Sequence, residues 1–351
     1  MYNGLRDISI YLGNVCNFNC TYCDRDYIKD TVGGLHMTTD DVSHIVTFLE
    51  STGIAKHPPE LFSFHGGEPF AYVKIMDAIM SKISSSVSGD YKFFIQTNGS
   101  MITRNRWFFE KWGARLAVSI SYDFLYQDIN RTAFSVEPAI ELMKECGVPD
   151  LQFQYVMPIQ DPRVFSLAAV KSITSLCFKH SVNHINLIPL RHIRGKDKFR
   201  VIVDEIDLPQ FFSAFLKFIQ ILYVMGIDVV IDGHSDGIDK HYFENHKQLV
   251  LSPDGYIYPE YDFLEYKHTD TTIGTWKGDI TVNRDTGDNT RVYSRCSTCV
   301  SYEDCGLKYL HKAFEVEPGN NCTQFYQMLN VIIKHTQKLK QKHNILEWVG
   351  V

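Results

Sequence analysis

Three cysteines stand close together near the start of the chain, Cys16, Cys20 and Cys23, in the spacing C-x3-C-x2-C. Thiolates are the soft ligands that zinc and iron-sulfur clusters take. Three of them on one short loop fill three corners of a [4Fe-4S] cube and leave one iron without a protein ligand. An open position of that kind separates a catalytic metal site from a closed structural one. Completed by a distant fourth ligand, the same residues make a zinc knuckle, and spacing alone leaves both readings standing. A second group, Cys296, Cys299, Cys305 and Cys322, has C-x2-C-x5-C and one later cysteine. By spacing it suits a four-cysteine zinc site as well as a cluster. Cys146 and Cys177 lie on amphipathic stretches and read as small buried hydrophobes. Glu260, Asp262 and Glu265 are the acidic residues that could serve as a base, Glu260 and Asp262 first among them; as solvated loop carboxylates they would look the same.

The elements that must position these residues follow from the pattern of the first half. Short runs of β-formers alternate with longer amphipathic stretches, the signature of βα units around a parallel sheet. The pattern predicts strands over Ile8–Leu12, Leu61–His65, Phe93–Thr97, Leu116–Ser121, Leu151–Met157 and Ile185–Leu190, and helices over Thr39–Thr52, Val73–Ser84, Arg104–Trp112, Val136–Cys146 and Phe165–His180. The fold class expected is therefore α/β, a partial or open (β/α) barrel with six strands. Loops at the C-terminal ends of such strands line the ligand crevice. Three further motifs sit at these ends: His65-Gly66-Gly67-Glu68-Pro69, Gln96-Thr97-Asn98-Gly99, and Ser119-Ile120-Ser121-Tyr122-Asp123 with Asn130-Arg131 after it. The paired glycines let a chain approach a ligand closely. Asp207-Leu208-Pro209 reads as an N-cap with proline in the first turn, opening a helix that ends near Gly226. Leu249 to Tyr258 reads as a hairpin turned by Pro253-Asp254-Gly255. The final helix has Phe325, Met328, Leu329, Ile332 and Ile333 on one face and lysines toward its end, a docked helix with a solvated basic tail.

Composition bounds the function class. The chain has 351 residues, 44% hydrophobic, 22% charged and 13% aromatic, enough for a large core. A net charge of -6 supplies no overall positive field for nucleic acid or an anionic membrane. The start lacks an export signal, and the longest apolar stretch, Phe211 to Met225, is interrupted by Lys217 and Gln220. A cytoplasmic protein without a membrane segment is expected, and in a reducing compartment its nine cysteines point to metal or catalysis rather than disulfides.

Cys16-Asn17-Phe18-Asn19-Cys20-Thr21-Tyr22-Cys23, with the three motifs in the same order along the chain, resembles the radical S-adenosylmethionine (radical SAM) superfamily over about residues 5 to 200. The resemblance implies that Cys16, Cys20 and Cys23 hold a SAM-binding [4Fe-4S] cluster. It implies that Gly66, Gly67, Glu68 and Pro69 receive the methionyl amino group, that Gln96 and Asn98 belong to the family's TNG segment, and that Ser121 and Arg131 meet the ribose and carboxylate. Tyr22 is the aromatic before the third cysteine. The second cysteine group resembles the SPASM extension of anaerobic sulfatase maturases and peptide-modifying enzymes, which implies one auxiliary [4Fe-4S] cluster on Cys296, Cys299, Cys305 and Cys322. Ligands for a second, inner auxiliary cluster depart from that pattern. Gly255 is followed at the family's spacing by Glu260, Tyr309 replaces a cysteine, and none lies between Cys177 and Gly255. The organisation implied is a radical SAM (β/α)6 domain over 1–200, a helical linker region over 201–245, and a smaller cysteine-rich SPASM/twitch-like domain with the last helix over 246–351. By resemblance the reaction is reductive cleavage of SAM to a 5′-deoxyadenosyl radical and hydrogen abstraction, with a peptide or protein side chain as leading substrate. The alternatives are a radical dehydrogenase or epimerase of a small molecule such as a sugar or aminocyclitol and, from another class, a non-catalytic Fe-S electron-transfer or binding protein. Implied partners are an electron donor such as flavodoxin or ferredoxin. Because 15 residues precede Cys16, leader recognition is expected from the C-terminal region or a separate leader-binding protein.

Two cluster sites give a stoichiometry. Anaerobically reconstituted protein is expected to hold about eight iron and eight sulfide, falling to about four iron when Cys16, Cys20 and Cys23 become alanine. Colorimetric iron and sulfide assays check this, and tightly bound zinc in place of iron at the C-terminal cysteines contradicts it.

Overall fold

The computed structural model describes residues 5–23, 34–190, 192–194, 199–201, 205–231, 248–258, 272–282 and 321–348. In chain order the principal elements are β1 (Asp7–Tyr11), α1 (Thr39–Ser51), β2 (Leu61–His65), α2 (Val73–Ser86), β3 (Lys92–Thr97), α3 (Arg106–Trp112), β4 (Leu116–Ser121), α4 (Glu137–Glu145), β5 (Asp150–Met157), α5 (Leu167–Lys179) and β6 (His184–Pro189). They continue as α6 (Leu208–Val224), β7 (Asp228–Ile231), β8 (Gln248–Leu251), β9 (Tyr256–Tyr258), β10 (Gly274–Thr275), β11 (Thr281–Val282) and α7 (Asn321–Trp348). His192–Arg194 and Phe199–Val201 form a separate antiparallel pair.

The described residues fall into two compact units, one drawn from Met1–Ile120, Phe134–Leu151 and Tyr242–Asp288, the other from Ser121–Ala133, Gln152–His241 and Asn289–Val351. In the first, β8, β1, β2, β3 and β4 run parallel, side by side in that order. Side chains alternate across a strand, so Phe62, Phe64, Phe93, Ile95, Leu116, Val118 and Ile120 share one face and are buried. Phe93 meets Trp112 of α3 edge-on at 5.7 Å, which places the helices on that face. Tyr11 pairs with His65, Phe64 with Ile95 and Thr97 with Ile120. With those ends in register, the segments after β1, β2 and β3 leave the sheet at one edge.

The hairpin expected near residue 253 is present, β8 and β9 pairing antiparallel across Pro253-Asp254-Gly255. Its first strand also pairs in parallel with β1, joining residues some 240 apart. Trp276 is fully buried behind this edge and donates its indole N–H to the Ser252 carbonyl at 2.8 Å. Lys277 reaches the buried Asp41 carboxylate of α1 at 2.6 Å, and Asp41 also accepts the N–H of Thr38, the residue that caps α1, at 2.8 Å.

In the second unit β5, β6 and β7 are parallel. Asp207 caps α6 as its sequence suggested, accepting the Gln210 N–H at 3.1 Å. Phe211, Phe215 and Phe218 gather around Phe165 with ring centroids 5.5 to 5.9 Å away. Phe325 of α7 stacks on Phe211 at 5.9 Å, and Leu329, Ile332 and Ile333 are buried while Lys334 and Lys338 are exposed, so this is the docked amphipathic helix expected. Among the described residues no helix is long and apolar enough to cross a membrane.

One polar network stitches the first unit's sheet at the start of its strands. The Asp7 carboxylate accepts the hydroxyls of Ser63 at 2.6 Å and Ser9 at 2.7 Å and the Gln248 amide at 2.8 Å, so a single side chain joins β1, β2 and β8. Burial raises its pKa above the usual carboxylate range, and the hydrogen bonds oppose that rise. Asp7→Ala leaves the buried Ser9 and Ser63 hydroxyls without this acceptor and is expected to cost roughly 1–3 kcal/mol in chemical denaturation. Because the folded pKa is raised, stability linked to Asp7 protonation is present at acid pH and declines as pH rises through the folded value. The Ala variant should lack that slope; a wild-type slope in the variant would assign it elsewhere.

Candidate functional site

The loop that carries the thiols is fixed at its start by β1 and by backbone bonds. Leu12 N–H donates to the His65 carbonyl at 2.8 Å and Met37 N–H to the Leu12 carbonyl at 2.9 Å. Val15 N–H then donates to the Tyr72 hydroxyl at 2.8 Å. Phe18 is buried and meets Phe134 edge-on at 6.4 Å, anchoring the middle of the loop. Cys23 N–H donates to the Cys20 carbonyl at 3.2 Å, closing a turn between the second and third cysteines. All three are thiols rather than disulfide halves, Cys16 and Cys20 half-buried and Cys23 exposed, with Tyr22 half-buried between them.

Against this loop lies the glycine pair. Gly67 N–H donates to the Gly13 carbonyl and Glu68 N–H to the Val15 carbonyl, both at 2.8 Å. A Cβ on Gly66, whose φ is +148°, would sit 2.6 Å from the Gly13 carbonyl oxygen, and one on Gly67 would sit 2.5 Å from that of Val15. Both contacts are shorter than real side chains make, and the atoms in the way are backbone. Besides the ligand approach that the sequence suggests, the glycines make a close approach to the thiol loop itself.

Glu68 follows, fully buried. Its carboxylate accepts the Phe70 N–H at 3.1 Å and the Thr97 hydroxyl at 2.6 Å on one oxygen, and the Asn98 N–H at 2.8 Å on the other. Pro69 opens the short turn Pro69–Tyr72 that Glu68 caps, and Phe70 stacks on Phe109 at 5.3 Å. One carboxylate thus joins the segments after β2 and β3. Asn98 extends the chain of contacts: its carbonyl accepts Ser100 N–H at 2.9 Å and Ser100 hydroxyl at 2.6 Å, while its amide nitrogen lies 3.0 Å from Asn17 Oδ1 and 3.8 Å from Cys16 Sγ. Gln96 is half-buried on β3, in register with Ser119 of β4. His65 shares the sheet face opposite Phe62 and Phe64; burial pulls its pKa down to about 4, so the imidazole is neutral at pH 7.

The remaining expected site residues divide between the second unit and the part of the chain outside the described residues. Ser121 and Arg131 bound the segment after β4. Arg131 lies 4.0 Å from the fully buried Asp123, its own side chain 8% exposed. Gln127 accepts the Asp123 N–H at 3.0 Å and donates to the Thr132 carbonyl at 2.9 Å, and Phe124 takes a left-handed φ of +50°. A bulky residue in that region costs energy and is held only where its surroundings fix it; here its ring packs on Phe153 and Tyr155 at 5.2 and 5.6 Å. Cys322 falls on the first turn of α7. Cys296, Cys299, Cys305, Glu260 and Asp262, like Glu265, lie outside the described residues. Burial pushes the Cys177 thiol up to about 12, which suits its reading as a buried hydrophobe, whereas Cys146, at the C-terminal cap of α4, is half-buried, its thiol pKa also raised by desolvation.

Sequence reasoning did not single out Tyr72, Thr97, Ser100, Asn17 or Asp123. Asn17, Thr97 and Asp123 stood inside quoted motifs, and a buried hydroxyl beside a buried carboxylate is the signal that pairs Thr97 with Glu68. Among the described residues no three His, Cys, Asp or Glu side chains converge on a single-ion site. A cubane is larger than one ion, so ligands spaced for it need not meet at a point. The three cysteine thiols on one anchored loop fit that group by number, type and access.

The geometry yields a test. Glu68→Gln turns an amide NH2 toward donors that need an acceptor, with an expected loss of roughly 1–3 kcal/mol, and Gly67→Ala pushes the Val15 carbonyl aside and should deplete iron at the N-terminal site. Denaturation curves and iron assays read both; wild-type stability and iron content in the two variants would show that this contact does not hold the loop.

Comparison with known proteins adds a family match and a fold likeness. Residues 10–161 match the family described as the Radical SAM superfamily. A GTP 3′,8-cyclase of Stenotrophomonas maltophilia (strain K279a) is 24% identical over 156 residues, 43% of this chain and 45% of that protein. The chain therefore matches less than half the length of this curated relative. Among solved structures, native anSMEcpe with bound AdoMet and Cp18Cys peptide has a TM-score of 0.65 at 18% identity, covering 97% of this chain and 99% of that one. Streptococcus suis SuiB bound to precursor peptide SuiA has a TM-score of 0.59 at 15% identity, covering 91% and 76%. At such identities the likeness is one of fold, and it extends well past residue 161. The C-x3-C-x2-C loop, the glycine pair and the buried glutamate, in their expected order on parallel strands, lie within the residues 10–161 that match the radical SAM superfamily.

Proposed function

We propose that this chain is a radical SAM enzyme that removes hydrogen from a peptide or protein side chain, oxidising or cross-linking it. When bound, a reduced [4Fe-4S] cluster and SAM supply a carbon radical strong enough to break an unactivated C–H bond. The chain's own residues hold and orient. Cys16, Cys20 and Cys23 would hold the cluster, and three protein ligands would leave one iron open to SAM. The bare backbone of Gly66 and Gly67 and the Glu68 carboxylate receive the amino group, Arg131 meets the carboxylate, and Ser121 meets the ribose, with Tyr22, Pro69, Gln96 and Asn98 completing the surround. A buried arginine held beside Asp123 keeps its guanidinium in place, which suits bidentate recognition of a carboxylate. Glu260 and Asp262 are the base candidates, and the C-terminal cysteines hold one auxiliary [4Fe-4S] cluster that stabilises its region and passes electrons. A flavodoxin- or ferredoxin-type donor reduces the enzyme, and peptide selection falls to the C-terminal region or a separate leader-binding protein.

The observation that carries the peptide reading is the extent of the fold likeness. It runs over 97% of the chain to a structure with a bound peptide and over 91% to one with a precursor peptide, whereas the match to the nucleotide cyclase stays within 43% of the chain. That cyclase match favours the second reading, a small-molecule substrate.

Anaerobically reduced protein with SAM is expected to release 5′-deoxyadenosine, detected by liquid chromatography and mass spectrometry, and Cys20→Ala to release none. Cys299→Ala should still cleave SAM, slowly, while losing product. Release by Cys20→Ala at the wild-type rate refutes the assignment. Stimulation by nucleotides or sugars, and not by candidate peptides, moves the substrate to the second reading.

A further inference from the structure

Asn98 faces a cysteine sulfur, and its orientation is fixed by more than the choice of which amide atom is which. Nitrogen and oxygen of a side-chain amide are told apart only by their partners. Ser100 N–H, which has no choice but to donate, lies 2.9 Å from one end of the Asn98 amide, with the Ser100 hydroxyl at 2.6 Å. That end is therefore the carbonyl oxygen. The opposite end is the NH2 group, 3.0 Å from Asn17 Oδ1 and 3.8 Å from Cys16 Sγ. A flipped amide would set NH2 against a backbone N–H and strand its oxygen beside a sulfur. The backbone of Asn98 is pinned too, its N–H donating to the buried Glu68 carboxylate at 2.8 Å. Cys16 Sγ receives a second donor, the Phe18 N–H, at 3.4 Å.

We propose that Asn98 acts on the cluster, through an N–H···S contact to the Cys16 thiolate that raises its reduction potential. The inference rests on the reading of Cys16 as a cluster ligand and assigns Asn98 a task that a SAM-facing role does not include. Negative charge collects on the sulfurs of a reduced cluster, and a donor aimed at one of them stabilises the reduced state more than the oxidised one. The donor is held in advance by Ser100 and Glu68, so no rearrangement accompanies reduction. Through Glu68 the same contact ties the potential to the glycine segment that packs on the thiol loop.

The test is a redox titration of the anaerobically reconstituted full chain, without SAM, followed by electron paramagnetic resonance on the signal that later responds to added SAM. Asn98→Ala, which removes the donor, should move the midpoint potential to a more negative value at unchanged iron content. Asn98→Asp keeps the size and the acceptor for Ser100 but puts an anionic oxygen beside the sulfur, so its midpoint should fall further. If Asn98→Ala loses iron, the Asp variant decides alone. Midpoints equal to wild type in iron-replete variants overturn the inference, as does a rise in Asn98→Asp. A wild-type chain that takes up no iron at Cys16, Cys20 and Cys23 fails the cluster reading instead, and the two failures are thereby distinct.

Discussion

A buried carboxylate is the constraint on which the candidate site depends. Removing Glu68 from water is costly unless donors replace the solvent, and the donors available are the Phe70 N–H, the Thr97 hydroxyl and the Asn98 N–H. Satisfying the charge therefore forces the ends of β2 and β3 into one arrangement. The backbone just before it then has no room for side chains. Gly66 and Gly67 pack on the carbonyls of Gly13 and Val15, and the thiol loop is placed as a consequence. The order of causes runs from a carboxylate whose oxygens must find donors, to two loops that must meet, to an anchored start for the loop that carries Cys16, Cys20 and Cys23.

A second layer of contacts stiffens that arrangement from outside. Tyr72, at the end of the turn that Glu68 caps, holds Val15 N–H. Phe70 docks the same turn on α3 through Phe108 and Phe109. At the other end of the strands Asp7 ties β1 to β2 and β8. A parallel sheet whose strands are cross-linked at both ends gives short loops a rigid base, and rigid loops are what a site needs to hold ligands at fixed spacing.

The architecture was legible to a large degree because its signals are local. The six strands of the first half fall within one residue of their expected ends, and the five helices within two, since alternation and amphipathic period depend on near neighbours. The hairpin turn at Pro253-Asp254-Gly255 was legible for the same reason. Its pairing with β1 was not, because no local pattern names a partner some 240 residues away. The motif residues were picked out by type and order, and the structure adds a second reason for the glycines. Sequence shows that a Cβ is excluded and not which atoms exclude it. Thr97 and Ser100 were passed over because hydroxyls are common, and only the buried carboxylate and the amide orientation give them their work.

The central claim is that Glu68 and the glycine pair hold Cys16, Cys20 and Cys23 in position for a cubane. The most direct test is an anaerobic crystal structure of the reconstituted chain with SAM. The account predicts a [4Fe-4S] cluster on those three sulfurs, with the Glu68 carboxylate still bonded to Phe70, Thr97 and Asn98. A single metal ion on these cysteines, or a Glu68 side chain turned out of its three hydrogen bonds while the cluster stays in place, would contradict it.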